Sequence, residues 1–256
     1  MPINERKQEI MSVLSERKSI SLKDLGNTLH YSQATLRRDV STLASEGLLQ
    51  RTHGMIHWID SVPNKVLPAR DRGLLNLHSK RMIAQKAAEL VQDGATIILD
   101  SGTTTCELAR VLLPRSINVV TNSLEIALIM AQSSSQIISC GGLLQPKQLC
   151  FLGPDAERFF ESIEVDVLFL GTTGVRGTNG LTTSSPLQYN IKQAMINAAK
   201  KKVALFDLSK LDTACLFVFS DFSNIDTIIT QQPLPGTREE MLLNEIRDRD
   251  VEILFA

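Results

Sequence analysis

Residues 32–40 read Ser32-Gln33-Ala34-Thr35-Leu36-Arg37-Arg38-Asp39-Val40. Ser32 suits a helix start, because its hydroxyl can accept from the free amides of a first turn. Leu36, Val40 and Leu43 recur at helical spacing and form one apolar face. Opposite that face lie Ala34, Arg38, Ser41 and Ser45, with Thr35 and Arg37 on its flanks. Small residues let a helix approach a groove closely, and arginines donate to guanine edges and phosphates. Alone, the stretch fits an amphipathic surface helix with two solvated arginines equally well. Asp39 falls beside the apolar face. A carboxylate turned to DNA would repel phosphates, so pairing with a nearby arginine or capping a helix end is expected of it.

The flanks decide between the two readings. Residues 5–17 place Ile10, Val13 and Leu14 on one face of a first helix. Ser19-Ile20-Ser21 reads as a short break, and Ser21 with Asp24 resembles a capping box. Leu22, Leu25 and Leu29 mark a second short helix ending near His30. Only Tyr31 and Ser32 then precede the arginine-bearing helix, which is a helix-turn-helix spacing. Gly47 suits the end of the third helix. Residues 48–59 read as two short strands around a turn near Gly54, a wing whose Arg51 and His53 are expected to touch phosphates. Ser32, Gln33, Thr35, Arg37, Arg38 and Ser41 complete the expected surface for double-stranded operator DNA.

The chain carries a formal charge of −1, which taken whole argues against a nucleic-acid binder. Its distribution reverses that reading. Residues 1–81 hold 13 Lys/Arg against 8 Asp/Glu, and residues 82–256 hold 14 against 20. The basic excess lies where the helix-turn-helix lies. Its modest size implies that one head binds weakly and that a homo-oligomer, dimer or tetramer, supplies avidity. At 43% hydrophobic, with no long apolar run, the chain reads as soluble, with no membrane span or signal peptide, and the cytoplasm is expected. Cys106, Cys140, Cys150 and Cys215 form no CxxC pair, so free buried thiols are expected, with no metal and no cofactor.

A linker is expected over residues 60–79, between a DNA-binding domain at 1–59 and a second domain at 80–256. From residue 80 strands and helices alternate. Expected strands are 96–99, 117–120, 136–140, 165–170, 202–206, 227–230 and 251–255, with helices at 106–113 and 124–131 among those between. Such repetition implies a mostly parallel α/β sheet with helices on both faces. Polar loops follow the strand ends, where open α/β sheets bind ligands. Ser101-Gly102-Thr103-Thr104-Thr105 at a strand-to-helix turn offers amides, hydroxyls and a helix N-terminus to an anion. A tight turn with capping threonines explains one such loop as well. Thr121-Asn122, Gly141-Gly142, Gly171, Asp207 and Lys210 are expected at the same sheet edge, which favours a ligand.

Two sets of residues carry a family resemblance. Ser32, Thr35-Leu36-Arg37-Arg38-Asp39-Val40, Leu43, Gly47 and Arg51-Thr52-His53-Gly54 resemble the winged helix-turn-helix of the DeoR family of bacterial transcription regulators. Met55 departs from it, standing where the family usually has a second glycine. Residues 100–105, Thr121-Asn122-Ser123, Gly141-Gly142, Gly153, Asp166, Gly171 with Gly174, Leu181-Thr182, Lys192, Met195, and Asp207 with Ser209-Lys210 resemble that family's effector domain, related in fold to ribose-5-phosphate isomerase and the CoA-transferases.

The resemblance implies a repressor of a sugar or sugar-alcohol operon, released by a phosphorylated sugar or related metabolite. The phosphate would sit at Gly102 to Thr105, with Asp100, Asn122, Lys192 and Lys210 on hydroxyls or a carbonyl oxygen. Lys210 fits a salt bridge to Asp207 equally well. A second departure is Gln188-Tyr189-Asn190, amides where the family carries glutamates ahead of the lysine. The competing reading is a sugar-phosphate isomerase or CoA-transferase with a DNA-binding head. Isomerisation needs a base and acyl transfer a nucleophilic glutamate, and this segment has lost its acids, though Asp100 and Asp207 remain.

Overall fold

The computed structural model describes residues 3–45, 49–52, 54–58, 69–211 and 213–256. The chain forms two compact units, Met1–His78 and Ser79–Ala256.

The first unit opens with α1 (Ile3–Arg17), β1 (Ser19–Ser21), α2 (Leu22–Leu29) and α3 (Gln33–Ser45). It continues with β2 (Leu49–Thr52), β3 (Met55–Trp58) and α4 (Ala69–Leu74). Ile10, Leu14, Ile20, Leu25, Leu36, Val40, Leu43, Leu49 and Ile56 share one core, so the apolar face of α3 packs inward. Ser21 caps α2 by accepting from the Asp24 amide at 3.0 Å, and His30 ends it in the left-handed conformation. Ser32 accepts from the Thr35 amide at 3.2 Å and fixes the start of α3. Residues 19–21, expected as a break, instead form a strand pairing antiparallel with β3. The sheet order is β1-β3-β2, and the single apolar residue of β1, Ile20, sits opposite Ile56 in the core. Gly47 and His53 lie outside the described residues, as does most of the expected linker. The end of that linker is helical, in α4 and the start of α5 (Leu77–Ala88).

The second unit continues with β4 (Thr96–Leu99), α6 (Thr103–Val111), β5 (Asn118–Thr121), α7 (Leu124–Met130) and β6 (Gln136–Ser139). Next come β7 (Leu143–Gln145), β8 (Cys150–Leu152), α8 (Pro154–Glu161), β9 (Val165–Gly171), β10 (Gly174–Val175) and β11 (Leu181–Thr183). The chain ends with α9 (Pro186–Asn197), β12 (Ala199–Leu205), β13 (Phe217–Ser220), β14 (Thr227–Thr230), α10 (Arg238–Arg247) and β15 (Glu252–Phe255).

Seven strands form one sheet, in the order β15-β14-β12-β9-β4-β5-β6, and every neighbouring pair is parallel. Side chains alternate between its two faces. Ile97, Leu99, Val167, Phe169, Val203 and Leu205 pack with Ile83, Leu108 and Ile126 from α5, α6 and α7. Ile98, Leu168, Leu170, Ala204 and Phe206 pack with Phe160, Met195 and Leu243 from α8, α9 and α10. The result is a three-layer α/β/α unit. Two small antiparallel pieces were not foreseen, the β7–β8 hairpin and the sheet β10-β11-β13.

From β4 the chain moves outward through β5 to β6, then returns to β9 on the other side of β4. The ends of β4 and β9 therefore flank the topological switch point, where open α/β sheets bind ligands.

Candidate functional site

In the first unit, Gln33, Ala34, Arg37, Arg38, Ser41 and Thr42 form the exposed face of α3. Asp39 is buried and bonded bidentately to Arg6 of α1, at 2.9 and 3.3 Å. The carboxylate holds the Arg6 guanidinium above its ordinary pKa, chiefly through that hydrogen bond. Arg51 of β2 donates to Ser41 at 2.9 Å, so two of the expected DNA-facing residues hold each other. The Ser32 and Thr35 hydroxyls lie 2.9 Å apart and close the first turn, serving as cap and staying at the surface end of the helix. His57, which the sequence did not single out, places Nδ1 3.1 Å from Ser19 Oγ and Nε2 2.6 Å from Thr52 Oγ1. It thereby joins all three strands of the wing sheet.

The second unit gathers its polar groups at the ends of β4 and β9. Asp100 follows β4 and is 1% exposed. Its Oδ2 accepts from the Gly171 amide at 3.0 Å and from Lys192 Nζ on α9. Lys192, itself 4% exposed, also donates to the Gly171 carbonyl at 2.9 Å and stands 5.0 Å from the Phe219 ring centroid. One ion pair thus clamps β4, β9 and α9 together. Asp100 Oδ1 is buried and meets no donor among the described residues. An unmet buried polar atom of this kind costs about 1–3 kcal/mol.

Three further expected residues are fully buried and build the loop from within. Thr105 Oγ1 accepts from the Gly102 amide at 3.0 Å and donates to the Asp100 carbonyl at 2.5 Å. Asn122 accepts from the Ser101 amide at 3.0 Å and donates to the Phe151 carbonyl at 3.3 Å. Thr121 donates to the Leu99 carbonyl at 2.6 Å. Ser101, Gly102, Thr103 and Gly171 remain partly exposed. Gly102 is the N-cap, so Thr103 and Thr104 are the first two helical residues. Their backbone N–H groups point out of the helix end, where intrahelical acceptors run out.

Gly141-Gly142 and Asp207 with Lys210 share this sheet edge, the latter one strand from β9 and the former two strands from β4. They follow β6 and β12, separated by four strand spacings, or roughly 19 Å. Asp207 accepts from the Ser209 amide at 3.1 Å, capping a short turn that ends at Lys210. Of the amide-bearing segment, Gln188 lies one helical turn before Lys192, accepts from Thr183 Oγ1 at 3.2 Å and donates to Gln148 in the β7–β8 turn. Tyr189 packs near Phe217, with centroids 6.4 Å apart, and Asn190 is exposed. Gln148 and Phe151 escaped the sequence reading because the hairpin that delivers them did.

The cysteines are free, three of them buried. Burial pushes the Cys140 thiol up to about 12 and Cys106 higher still. Among the described residues no helix is long and apolar enough to cross a membrane.

Comparison with known proteins covers both units. The DeoR-like helix-turn-helix domain matches residues 6–62, and the DeoR C terminal sensor domain matches residues 75–232. The HTH-type transcriptional regulator GlpR of Haloferax volcanii is 36% identical over 93% of each chain. The putative aga operon transcriptional repressor of Escherichia coli O157:H7 is 29% identical over 99% of this chain and 94% of its own. The L-fucose operon activator of Haemophilus influenzae is 30% identical over 93% and 96%. Among solved structures, ribose 5-phosphate isomerase A from Methanocaldococcus jannaschii overlaps 53% of this chain and 55% of its own. That overlap has 22% identity and a TM-score of 0.40, which carries no weight for function.

Proposed function

Because the chain belongs to the DeoR family of transcription regulators, we propose that it represses a sugar or sugar-alcohol operon and leaves its operator when a phosphorylated metabolite binds. The chain is a DNA-binding regulator and not an enzyme. In the proposed division of labour, residues 1–59 hold DNA and residues 80–256 hold the effector, in a cytoplasmic dimer or tetramer. The observation that carries the DNA reading is the exposed Arg37-Arg38-Ser41 face of α3, fixed from behind by Asp39–Arg6 and from the side by Arg51. Arg38 and Arg37 supply donors for base edges and phosphates. Ser32, Gln33, Thr35, Ser41 and Arg51 border the same surface.

The effector reading rests on the Thr103 and Thr104 amides at the switch point, which suit a phosphate. The Asp100–Lys192 pair and Gly171 form the floor beside them, and Thr105, Thr121 and Asn122 act as the frame. Effector affinity and operator affinity are then linked reciprocally.

Two measurements test this. In a gel-shift titration at fixed salt, on DNA selected from a random pool by the wild-type protein, Arg38→Ala should abolish binding while the melting temperature stays unchanged. Undiminished affinity would remove α3 from the interface. Thr103→Pro removes one amide at the first helical position, where proline is well tolerated. It should fold and bind DNA normally, yet lose most of the melting-temperature shift that phosphate esters produce. A full shift in this variant would mean that the α6 amides do not hold the phosphate.

A further inference from the structure

Two strand-end loops of the second unit use their first amides differently. At the start of α6 the Thr103 and Thr104 amides point out of the helix end. After β12 the corresponding amides are taken by side chains. Ser209 donates to Asp207 Oδ1 at 3.1 Å, and Leu208 donates to Gln231 Oε1 at 3.0 Å. A turn filled in this way is not an anion site. Gln231 also makes a second bond that does not serve the turn, from Nε2 to Ser79 Oγ at 2.6 Å. A backbone N–H can only donate, so the amide oxygen must face Leu208 and the NH2 group must face Ser79.

Ser79 is the third residue of α5 and the first of the second unit. α5 starts at Leu77, before that boundary, so the helix continues the main chain of the first unit. At the other end of the connection, Leu205 of β12 pairs with Gly171 of β9. Gly171 is bonded in turn to Asp100 and Lys192. Bonds therefore run without a break from the switch point through β12 to the 208–210 turn, and from that turn through Gln231 to α5. We infer that Gln231 is a positioning residue that couples the sheet edge to the DNA-binding unit, an inference that rests on the effector reading above.

The chemistry of the link suits such a role. Ile83, Ala84 and Ala87 fix the later turns of α5 in the core, and Gln231 itself is half-buried at the surface end of β14. Its bond to Ser79 can be made or lost without disturbing that core. One net hydrogen bond changes an equilibrium by about fivefold, the low end of the coupling found between sites. Coupling is reciprocal, so DNA held by the first unit must be felt at the 208–210 turn even with no effector present.

The test uses the full-length protein and DNA that it selects from a random pool. Hydrogen exchange over residues 206–211 is read with and without DNA. In the wild type, DNA should change exchange at the Leu208 amide by about fivefold. Ser79→Ala leaves the Leu208–Gln231 bond in place. Its Leu208 amide should keep wild-type protection in the free protein and lose the response to DNA. Ser79→Thr, which restores the hydroxyl, should restore the response. Gln231→Met should lose it too, and combining it with Ser79→Ala should do no further harm, because both remove one link. A purely structural role for Gln231 would leave the response intact in Ser79→Ala, and that result overturns the inference. So does a wild-type turn that does not sense DNA. The effector side is read by gel shift with glycerol, ribitol and glucitol phosphates. Any of these that releases the wild type from DNA should release Ser79→Ala about fivefold less effectively, while still binding it in calorimetry without DNA. Release of this variant at wild-type concentrations also overturns the inference. If none of the three binds the wild type, these probes give the effector reading no support, and the exchange measurement still decides whether Gln231 carries the coupling.

Discussion

Asp39 puts a negative charge on the helix whose far face carries Arg37 and Arg38, and its partner decides what that charge does. Facing DNA, it would weaken binding, and neutralising it would tighten the complex. Buried against Arg6, it anchors α3 to α1 through two hydrogen bonds. Breaking such a pair on one side leaves an uncompensated charge, which is the costly case. Asp39→Asn should therefore lower the melting temperature of the first unit and weaken operator binding. Tighter DNA binding by this variant in a gel-shift titration would show instead that Asp39 faces phosphates. Arrangement of α3 was legible because Asp39 sat beside Leu36, Val40 and Leu43 in sequence. Arg6 was not, since nothing local distinguishes it from Lys7 or Arg17.

At the scale of elements, periodicity revealed what was long enough to show a period. The strands 96–99 and 227–230 are buried β-branched runs and appear where expected, as β4 and β14. The start of α6 was misplaced, because three threonines read as loop. They are instead the first helical turn, with Thr105 supplying the oxygen that caps Gly102. β1, β7 and β11 have three residues each and β10 has two, too short for alternation to register. The sheet β10-β11-β13 depends instead on a close approach of backbones. Gly180 stands just before β11 at φ +129°, and a Cβ there would lie 2.0 Å from the Ser220 carbonyl oxygen. Gly180→Ala combines a disfavoured backbone with a clash that only main-chain movement relieves. It should cost about 2 kcal/mol or more, read as a lower urea midpoint of the second unit. An unchanged midpoint would mean that this contact is not part of the folded state.

For the whole molecule, charge and thiols are both unevenly divided between the units, and the thiols give a clean test. All four cysteines lie in Ser79–Ala256, and the first unit has none. Burial raises Cys106, Cys140 and Cys215 above the ordinary value of 9.0, with Cys140 reaching about 12. A raised thiol pKa means that the folded state keeps a proton which the unfolded chain releases once pH passes about 9. Below that pH both states hold it, and stability does not depend on these groups. Above it, unfolding is favoured by up to about 1.4 kcal/mol per pH unit for each fully buried thiol. For Cys140 the loss stops growing near pH 12. The second unit should thus lose stability steadily from pH 9 upward. Cys106→Ala should flatten that slope by one thiol's share, after allowance for its smaller side chain. Urea denaturation between pH 7 and 10.5, followed for wild type and variant, measures both slopes. Identical slopes would mean that Cys106 is open to solvent, and with it the face of α6 that carries it into the core it shares with Leu108 and Ile126. The same loosening would reach the first turn of α6, so the alkaline slope also reports on how firmly the Thr103 and Thr104 amides are held for an anion.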